Sequence, residues 1–499
     1  MGSNSFRLVV FQHEPGGWWS LADEIREPVR ISAGMGDEGV LAAAPIERAV
    51  ATASVFASFL EASGVERVGV VATSAIRDAR NRDELLARIG ERTGLEVRVI
   101  SGAEEAWYGY LAIVNSTTLT DGFGIDVGGG SVQVMRISDR RLREAESVRL
   151  GAVRVSEAFL PGETAKPKQV QALRDHVSQT LSEFEWWGGN DGGRLAAIGG
   201  TVRNLATAVQ KRMELPDVDE QGFVLTRDAL EELIELLAAE PASRRGTIRG
   251  IKPDRGDVIL GGALVIAAAM EHGGFDELEV AEAGLREGVF FEHLLADRNP
   301  PLIDDVRTAS VENLAQRFRT DPPHVAHVAK LSLELFDALR DAGLHDLGDG
   351  DRQVLGAAGL LHDVGMTVDY DDHHRHSHYL IVHAGLPGYS PREVDLIALI
   401  ARYHRKGTPD PSELGALGRE GDRERLLLLC GLIRLAEQLE RSRDQAVASI
   451  RLDASDSRVA LAVIASAGAD AAVAIWAAGR GSGLLAEALG RPVEIVPGR

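Results

Sequence analysis

The sequence contains one cysteine and lacks any long apolar run. Cys430 stands alone in the stretch LLLLCGLIRL, so one chain cannot form an internal disulfide or a thiolate metal site. No segment reaches the roughly 20 consecutive apolar residues that a membrane helix requires, and the first residues lack the pattern of a signal peptide. We therefore expect a protein of the reducing cytoplasm with no membrane partner, in which Cys430 is a buried, inert thiol.

Basic residues are scarce relative to acidic ones. The chain has 54 lysines and arginines against 75 aspartates and glutamates, which gives a formal net charge of −21. Nonspecific nucleic-acid binding needs a broad basic face, so we expect no DNA partner. Two basic stretches, IRDARNR (76–82) and SRRGTIRGIKPDR (243–255), leave room for a focused positive cleft that would take a polyanion.

Glycine, in contrast, is abundant, and two glycine turns stand out among its 54 residues. In GFGIDVGGGSVQV (122–134) an apolar strand ends at Asp126 and a GGGS turn follows. In LAAIGGTVRNLATAVQ (195–210) a strand, a Gly-Gly-Thr turn and a helix succeed one another. Free backbone N–H groups and the positive end of a helix bind anions. A plain hairpin or an ordinary helix start would explain either turn alone, but the pair favours a phosphate site.

The chain is long enough for several domains, and the predicted secondary structure changes part-way along the sequence. Strands and helices alternate first, which indicates layered α/β lobes; examples are a helix over 47–63 and a strand over 65–73. The proline pair at 300–301 cannot continue a helix and favours a boundary. Residues 306–445 follow a helical period throughout, and residues 446–499 return to strand-like runs around one helix.

Histidine is concentrated in the helical part, where ten of the fourteen histidines fall between residues 324 and 404. Imidazole and carboxylate groups on separate helices are the usual ligands of metal sites in helical bundles. The arrangement resembles the HD superfamily of metal-dependent phosphohydrolases, which implies His324, His362 and Asp363 as ligands. Glu437 stands at the fourth position, where that pattern has aspartate. The alternative is a solvated or phosphate-binding cluster that also includes Arg375, Arg402, Arg405 and Lys406.

Nine motifs occur in order across residues 2–407: GSNSFRL, TSAIRDARN, SGAEEA, IDVGGGS, IGGTVRNLA, RGDVILGGAL, GLREGVF, LLHDVG and RYHRKG. Together they resemble the exopolyphosphatase/guanosine pentaphosphate phosphohydrolase family. The resemblance implies an α/β fold with two ribonuclease-H-like lobes of the actin-like ATPase superfamily, over residues 1–118 and 119–297. It also implies an all-α HD-like domain over 303–445, a small α+β domain over 446–499, and a homodimer.

The resemblance further implies a role for individual residues. Glu105 would be the base that activates water, Arg77 would grip the phosphoryl oxygens, and Asp126 would hold Mg²⁺ directly or through water. K⁺ is a second cation that the resemblance allows. Phosphate contacts would come from Asn4, Ser5, Gly128, Gly129, Gly130, Ser131, Gly199, Gly200 and Thr201. An exposed helix start is the alternative explanation for Glu104 and Glu105, and a plain surface position is the alternative for Arg77.

Two positions depart from the family pattern. The family's first turn reads Asp-x-Gly-Ser-Asn-Ser, and Met1 occupies the x here, so the aspartate and the first half of its strand are absent. We expect the natural protein to start upstream of Met1. After the GGGS turn the family continues with Thr-Glu, whereas this chain has Val132 and Gln133. Because Gln133 lacks the charge of the family's glutamate, we expect weaker Mg²⁺ binding or slower turnover. Gln133 could still contact the metal through water.

These features predict a phosphohydrolase that releases terminal orthophosphate from inorganic polyphosphate, converts pppGpp to ppGpp, or does both. A catalytically weak or inactive binder of (p)ppGpp or polyphosphate is the alternative, because of Gln133 and the missing aspartate. A sugar or acetate kinase, or an ATPase, of the same superfamily is a third interpretation, but the sequence offers no adenine-binding signal. In a fourth, the HD-like region hydrolyses a nucleotide of its own, which Glu437 disfavours.

Overall fold

The computed structural model describes residues 1–36, 38–188, 193–216 and 219–498, and the chain divides into two compact units. Unit 1 comprises Met1–His13, Trp19–Met213 and Gly222–Val306. Unit 2 comprises Glu14–Trp18, Glu214–Gln221 and Arg307–Arg499. Buried apolar clusters lie within each unit, so each has a hydrophobic core of its own.

Unit 1 alternates strands and helices, which confirms the α/β pattern read from the sequence. Its strands are β1 (Phe6–His13), β2 (Trp19–Glu27), β3 (Val70–Ala72), β4 (Val97–Val99), β5 (Gly122–Val127), β6 (Val132–Ser138), β7 (Arg141–Val148), β8 (Arg194–Ile198), β9 (Val224–Thr226) and β10 (Glu277–Val280). Its helices are α1 (Ala43–Ser63), α2 (Ser74–Arg77), α3 (Arg82–Thr93), α4 (Gly102–Val114), α5 (Ala152–Phe159), α6 (Pro167–Leu181), α7 (Gly200–Arg212), α8 (Arg227–Ala239), α9 (Ala242–Arg245), α10 (Ile259–Gly273) and α11 (Leu285–Leu294), with a 3₁₀ turn at Pro253–Arg255.

A six-stranded mixed sheet holds the later part of unit 1 together, with strand order β7-β6-β5-β8-β10-β9. Every residue of β5 is buried, which explains its continuous apolar sequence. β5 and β8 are parallel, with Asp126 beside Ile198, so the glycine turns after both strands lie at one edge of the sheet. β6 is antiparallel to β5 and places Gln133 opposite Asp126.

The early part of unit 1 has two small sheets, the antiparallel pair β1-β2 and the parallel pair β3-β4. The helix predicted over 47–63 lies within α1. The strand predicted over 65–73 is wrong in length, because only Val70–Ala72 pair with a neighbour. The preceding Glu66 and Arg67 are exposed, and β4 offers only three residues to pair with, so the ladder extends no further.

Unit 2 contains the helices α12 (Val306–Arg317), α13 (Pro322–Asp341), α14 (Asp349–Leu361), α15 (His373–Ala384), α16 (Pro391–Tyr403), α17 (Asp422–Leu439), α18 (Ala472–Gly481) and α19 (Gly483–Leu489), with 3₁₀ turns at Val364–Thr367 and Pro411–Leu417. Its strands are β11 (Val447–Ala454), β12 (Val459–Ala465) and β13 (Val493–Pro497), which form one sheet in that order. The helical prediction for 306–445 and the strands of the tail are confirmed. The sequence analysis missed α18.

Cys430 and the helices bear on two further expectations from the sequence. The thiol of Cys430 is fully buried on α17, as expected, and burial raises its pKa, which disfavours the reactive thiolate. None of the helices in the described ranges is long and apolar enough to cross a membrane.

Candidate active site

A cavity of about 340 Å³ lies within unit 1. Both glycine turns contribute to its wall, through Gly128, Gly129, Ser131, Gly199 and Gly200. So do Ser3 and Ser5 near the start of the chain, and the carboxylates Glu105 and Asp126. The structure therefore brings together most of the residues that the sequence analysis assigned to one phosphate site, although they come from widely separated parts of the chain.

Asp126 reaches the cavity because it is the fifth residue of β5, next to the strand end. Its side chain is 9% exposed and makes no salt bridge with any described residue. Burial, together with the charge of Glu105, raises the pKa of Asp126 to about 7. The charge of Arg203 opposes this rise only in part, so a metal ion would stabilise the ionised carboxylate.

Glu104 and Glu105 are adjacent in the sequence, but their side chains make different contacts at the start of α4. Glu104 forms a capping box with Ser101: its side chain accepts from the Ser101 N–H at 2.8 Å, and its own N–H donates to Ser101 Oγ at 3.1 Å. Glu105 points inward, is 7% exposed, and accepts a 2.8 Å hydrogen bond from Arg77. The helix-start explanation therefore fits Glu104, whereas Glu105 is the residue in the cavity.

Arg77 lies behind the cavity wall and holds Glu105 in place. Its guanidinium donates to Glu105 Oε2 and, at 3.1 Å, to the carbonyl of Ile100. Burial raises the pKa of Glu105, and the hydrogen bond and charge of Arg77 oppose that rise. Arg77 is 20% exposed, so the surface position considered as an alternative does not describe it.

The GGGS turn is packed against the start of α5. The amides of Ala152 and Val153 donate to the carbonyls of Gly128 and Gly129, both at 2.9 Å. A Cβ at Gly130 would lie 2.5 Å from Ser74 Oγ and 2.7 Å from Ser3 Oγ. The Ser74 and Ser3 side chains leave no room for a Cβ, which explains why this position is glycine. Gly130 therefore packs against these serines and does not line the cavity.

The second glycine turn approaches Asp126 closely. Gly199 has a φ of +98°, and a Cβ there would lie 2.5 Å from Asp126 Oδ1. A Cβ at Gly200 would lie 2.5 Å from Arg255 Nη2. Thr201 is 1% exposed and donates from its hydroxyl to the Val127 carbonyl at 3.2 Å, so its side chain joins β5 to α7 instead of lining the cavity.

Gln133 and Asn4 also lie behind the wall. Gln133 is buried and donates through Nε2 to Ser131 Oγ at 3.0 Å and to Ser147 Oγ at 2.9 Å. Its Oε1 has no hydrogen-bond partner in the described part of the chain. The carbonyl of Asn4 accepts from the Arg30 amide at 2.8 Å, which fixes the first turn. Gln133 therefore positions Ser131.

A basic cluster beside the cavity is the main feature that the sequence analysis missed. Arg7, Arg203 and Arg255 line the same cavity. Burial lowers the pKa of Arg7 to about 9, and Arg286 adds to the effect. Burial likewise lowers the pKa of Arg255 to about 10, with Arg26 adding. Within the described ranges neither Arg203 nor Arg255 makes a salt bridge, so the cluster has positive charge available for an anion.

The histidines of unit 2 form a separate, buried group. His324 Nε2 lies 3.2 Å from Glu437 Oε2, and His362 Nε2 lies 3.3 Å from the same oxygen. Asp363 is also buried, with Oδ2 3.7 Å from His324 Nε2. The four residues named from the HD-like pattern are thus adjacent. The alternative of a solvated cluster is wrong for them, because helix packing removes all four from water.

Two family models match the chain. The model of the Ppx/GppA phosphatase family matches residues 9–297, and the model of Ppx/GppA phosphatase, domain III, matches residues 306–469. The chain belongs to the Ppx/GppA phosphatase family. The resemblance drawn from the nine sequence motifs is confirmed.

Two curated relatives of this family member carry the same name. The guanosine-5'-triphosphate,3'-diphosphate pyrophosphatase of Vibrio vulnificus is 28% identical over 470 residues, which cover 93% of this chain and 90% of the relative. The protein of that name from Pseudoalteromonas translucida is 26% identical over 411 residues, which cover 81% of this chain and 79% of the relative. Both alignments therefore cover at least 81% of this chain.

Solved structures show the same fold. The crystal structure of the Aquifex aeolicus member of the Ppx/GppA family is 27% identical, with a TM-score of 0.52, and the match covers 60% of this chain and 96% of that one. An exopolyphosphatase from Cytophaga hutchinsonii gives a TM-score of 0.55 at 21% identity, over 59% of this chain and 96% of that one. This Ppx/GppA chain has the mixed α/β, actin-like ATPase type of fold that the sequence predicts.

The missed arginines were present in the quoted motifs. Arg7 lies in GSNSFRL, Arg203 lies in IGGTVRNLA, and Arg286 lies in GLREGVF. Arg255 ends one of the two basic stretches. The individual roles assigned to site residues remain predictions.

Proposed function

We propose that this chain releases terminal orthophosphate from inorganic polyphosphate, from pppGpp, or from both. Membership of the Ppx/GppA phosphatase family makes it a phosphoric anhydride hydrolase. The printed names of its curated relatives specify the guanosine substrate for those proteins. The motif resemblance adds polyphosphate, because the same cradle would take the terminal phosphate of either molecule.

One observation carries the proposal: Glu105 shares its cavity with two glycine turns and with three arginines of the basic cluster. Hydrolysis of a phosphoanhydride requires an activated water, a cradle for the phosphoryl oxygens, and neutralisation of charge on the remaining chain. A buried carboxylate, backbone N–H groups and the guanidinium groups of Arg203 and Arg255, which make no salt bridge in the described part of the chain, would supply these three needs. The net charge of −21 does not prevent the cavity from binding a polyanion, because the arginines concentrate positive charge at the cavity itself.

Glu105 would accept the proton of the attacking water through its carboxylate. The Arg77 hydrogen bond keeps that carboxylate oriented and favours its ionised form. The rise in pKa caused by burial makes the same group a stronger base than an exposed glutamate. The two effects together would give a base whose pKa lies above that of an exposed glutamate and whose carboxylate is held in a fixed orientation.

Mg²⁺ fits the residues of the cavity. Asp126 is a buried carboxylate with a pKa raised to about 7, beside the second carboxylate of Glu105. Oxygen ligands of this kind are those that Mg²⁺ prefers. When bound, the ion would neutralise phosphate charge, with Asp126 as its protein ligand directly or through water. Gln133 would reach it only through water.

The remaining residues would hold the substrate. The Gly128 N–H already donates to the Ser131 carbonyl at 3.0 Å, so the N–H groups of Gly129 and Ser131 would contact the terminal phosphoryl group, with Ser5 on the opposing turn. Gly199 and Gly200 would contact the next phosphates at the positive end of α7. The basic cluster extends the positive surface beyond both turns, where the rest of a polyphosphate or the guanosine 3'-diphosphate would lie. A bidentate guanidinium suits phosphate oxygens.

A side-by-side assay tests the proposal. Orthophosphate release is measured from long-chain polyphosphate and from pppGpp, each with Mg²⁺ and with EDTA. We expect release from at least one substrate, dependent on Mg²⁺, and its loss in Glu105→Ala. Absence of release from both substrates in a protein that still binds them would overturn the hydrolase and support the alternative below.

A catalytically weak or inactive binder is the second candidate, because Gln133 replaces the family's glutamate. Gln133 is a buried neutral amide that holds Ser131, so the carboxylate charge is absent from this position. The basic cluster and glycine turns would bind phosphates without it. Binding of pppGpp that is equal in the native chain and in Glu105→Ala, with no phosphate release in either, would identify this candidate.

The finer domain organisation is also a proposal. We infer ribonuclease-H-like lobes at 1–118 and 119–297, an HD-like domain at 303–445 and a small α+β domain at 446–499. The helices α12–α17 and the sheet β11-β12-β13 support the last two divisions. A homodimer is inferred from the family, and sedimentation equilibrium of the full chain tests it.

A further inference from the structure

A glutamate at the edge of unit 1 binds two of the arginines that line the cavity. Oε1 of Glu24 accepts hydrogen bonds from Arg7 Nη1 at 3.0 Å and from Arg286 Nη1 at 2.9 Å. Both arginines belong to the cavity wall, whereas Glu24 does not. One oxygen held between two guanidinium groups is also how arginines bind a phosphoryl oxygen. The chain therefore supplies an anion of its own to part of the proposed substrate site.

The register of the β1-β2 hairpin places Glu24 beside Arg7. Arg7 lies directly opposite Arg26, and Val9 lies opposite Glu24. Side chains two residues apart along a strand share a face, so Arg7, Glu24 and Arg26 project from the same face of the hairpin. Glu24 thus contacts Arg7 on the diagonal between the two strands. Arg286 reaches the same carboxylate from the first turn of α11.

The single carboxylate of Glu24 does not balance the positive charge around it. Arg7 and Arg286 share one of its oxygens, and a second acid, Glu287, lies farther away, at 3.6 Å from Arg286. Burial lowers the pKa of Arg7 to about 9, the charge of Arg286 adds to this effect, and Glu24 opposes it. A phosphate group carries more negative charge than a carboxylate, so it would satisfy the two guanidinium groups better than Glu24 does.

The position of Glu24 also allows its carboxylate to be displaced. Its side chain is 32% exposed, against 18% for Arg7 and 19% for Arg286, so the carboxylate is nearer to solvent than the two guanidinium groups. β2 pairs with β1 in a sheet of two strands, which leaves Glu24 on an edge strand. Ion pairs that water reaches contribute little to stability. Transfer of the two arginines from Glu24 to a phosphate group therefore costs the fold little.

We propose that Glu24 is a specificity-determining residue, which competes with the substrate for Arg7 and Arg286 and so limits the affinity for phosphate groups beyond the terminal one. This inference rests on the proposed function, because it concerns how that substrate is held. When a phosphate chain binds, its oxygens accept the N–H groups that Glu24 holds in the free protein. The released carboxylate then faces solvent and repels the bound chain. Inorganic polyphosphate and pppGpp both carry phosphate groups that can compete in this way.

A purely supporting role of Glu24 predicts an effect of the opposite sign. Arg7 and Arg26 are like charges directly opposite each other in the hairpin, which is unfavourable, and a neighbouring carboxylate reduces their repulsion. If this were the main role of Glu24, removal of its charge would let Arg7 and Arg286 move, and phosphate binding would weaken. The direction of the change in affinity therefore separates competition from support.

Isothermal titration calorimetry with inorganic tripolyphosphate and with pppGpp tests the inference. The full-length parent protein carries Glu105→Gln, so that the ligand is not consumed during the titration. Adding Glu24→Gln should lower Kd by about 3- to 10-fold, because the variant removes a charge in direct contact with both arginines. Adding Glu27→Gln, which removes the same charge from an exposed glutamate of β2, should leave Kd within about twofold of the parent value.

Steady-state kinetics in the chain that retains Glu105 give a second readout. Glu24→Gln should lower KM for the substrate and leave kcat unchanged, because competition affects binding and not the attack of water. Raising the salt concentration from about 0.05 M to about 0.5 M should reduce the difference between Glu24→Gln and the native chain, since the effect is electrostatic. Circular dichroism confirms that each variant is folded.

The outcomes distinguish this inference from the proposed function. Tighter binding of tripolyphosphate or of pppGpp by Glu24→Gln supports the inference and shows which molecule reaches Arg7 and Arg286. Unchanged or weaker binding of both ligands, with phosphate still released by the native chain, would overturn the inference and leave the proposed function standing. Absence of binding of both ligands to the parent protein would overturn both.

Discussion

Arg77 Nη1 lies 2.8 Å from Glu105 Oε2, and this pair joins the TSAIRD motif to the start of α4. The two side chains are 20% and 8% exposed, so water screens their attraction only partly. Arg77 therefore both orients Glu105 and moderates the rise in its pKa that burial causes. The proposed base depends on an arginine that the cavity wall does not include.

Replacing Arg77 by alanine should leave Glu105 buried without its cation. The pKa of Glu105 should then rise further, and the acidic limb of the kcat/KM profile for phosphate release should move to higher pH. We expect kcat/KM at neutral pH to fall by about 10²- to 10³-fold. Arg80→Ala, an exposed neighbour, serves as the control. An unchanged pH profile in Arg77→Ala would show that the pair is not part of the catalytic machinery.

Gly199→Ala should disturb Asp126 directly. Its Cβ would lie 2.5 Å from Asp126 Oδ1, so the carboxylate must move. We expect Mg²⁺ affinity, measured from the metal dependence of phosphate release, to fall by at least about 10-fold, the equivalent of roughly 1.4 kcal/mol. Gly274→Ala is a matched control, because Gly274 also has positive φ but no atom within 4 Å of the added Cβ. Equal effects of both substitutions would mean that backbone strain alone is responsible.

Gln133→Glu should restore the carboxylate that the family pattern has at this position. A glutamate there could still accept from Ser131 and Ser147, and its charge would add to that of Asp126 opposite it in β5. We expect tighter Mg²⁺ binding and faster phosphate release. Gln133→Met, which keeps the length without the charge, is the control. Identical Mg²⁺ dependence in the native chain and in Gln133→Glu would show that this departure is without consequence.

A buried ion pair predicts the acid response of unit 2. Arg392 contacts Asp422 at 2.5 Å, and Asp422 is 2% exposed. Burial disfavours the ionised carboxylate, but hydrogen bonds from Arg392, Arg419 and Arg425 prevail and lower the pKa of Asp422 to about 2. Because that pKa lies below the ordinary value of 3.8, the stabilisation is complete above about pH 4 and is lost as pH falls toward 2.

Asp422→Asn should therefore destabilise unit 2 by about 3 kcal/mol at pH 7, and the difference from the native chain should shrink below pH 4. Hydrogen exchange of peptides from α17, followed by mass spectrometry, measures this locally. Asp456→Asn changes an exposed aspartate of the same unit and should have no effect. A difference that persists unchanged to pH 2.5 would contradict the assignment.

The sequence predicted those parts of the fold that depend on local pattern. The buried run of β5, the glycine turn after it and the helical period beyond Val306 each follow from neighbouring residues. The length of β3 was not predictable in this way, because it depends on β4, which supplies only three pairing residues. The helix α18 was missed because its alanine-rich run has little polar periodicity.

In the candidate active site, too, some residues could be identified from local sequence and others only from tertiary contacts. The family resemblance assigned both Glu105 and Asp126, and for Asp126 the glycine turn that follows it gave a chemical reason as well. Arg203 and Arg255 were not assigned, because nothing local distinguishes an arginine that faces a cavity from one that solvates a helix. The contact between His373 and His404 was likewise not predicted, because it joins residues 31 positions apart on consecutive helices.

Glu105→Gln and Glu104→Gln give the most direct test of the central claim that Glu105 activates the attacking water. The two variants make the same change at adjacent positions, but Glu104 only caps α4 and contacts Arg98. With pppGpp or polyphosphate and saturating Mg²⁺, kcat/KM should fall by about 10²- to 10⁴-fold in Glu105→Gln and stay within about threefold of the native value in Glu104→Gln. Equal activity of the two variants would contradict the account.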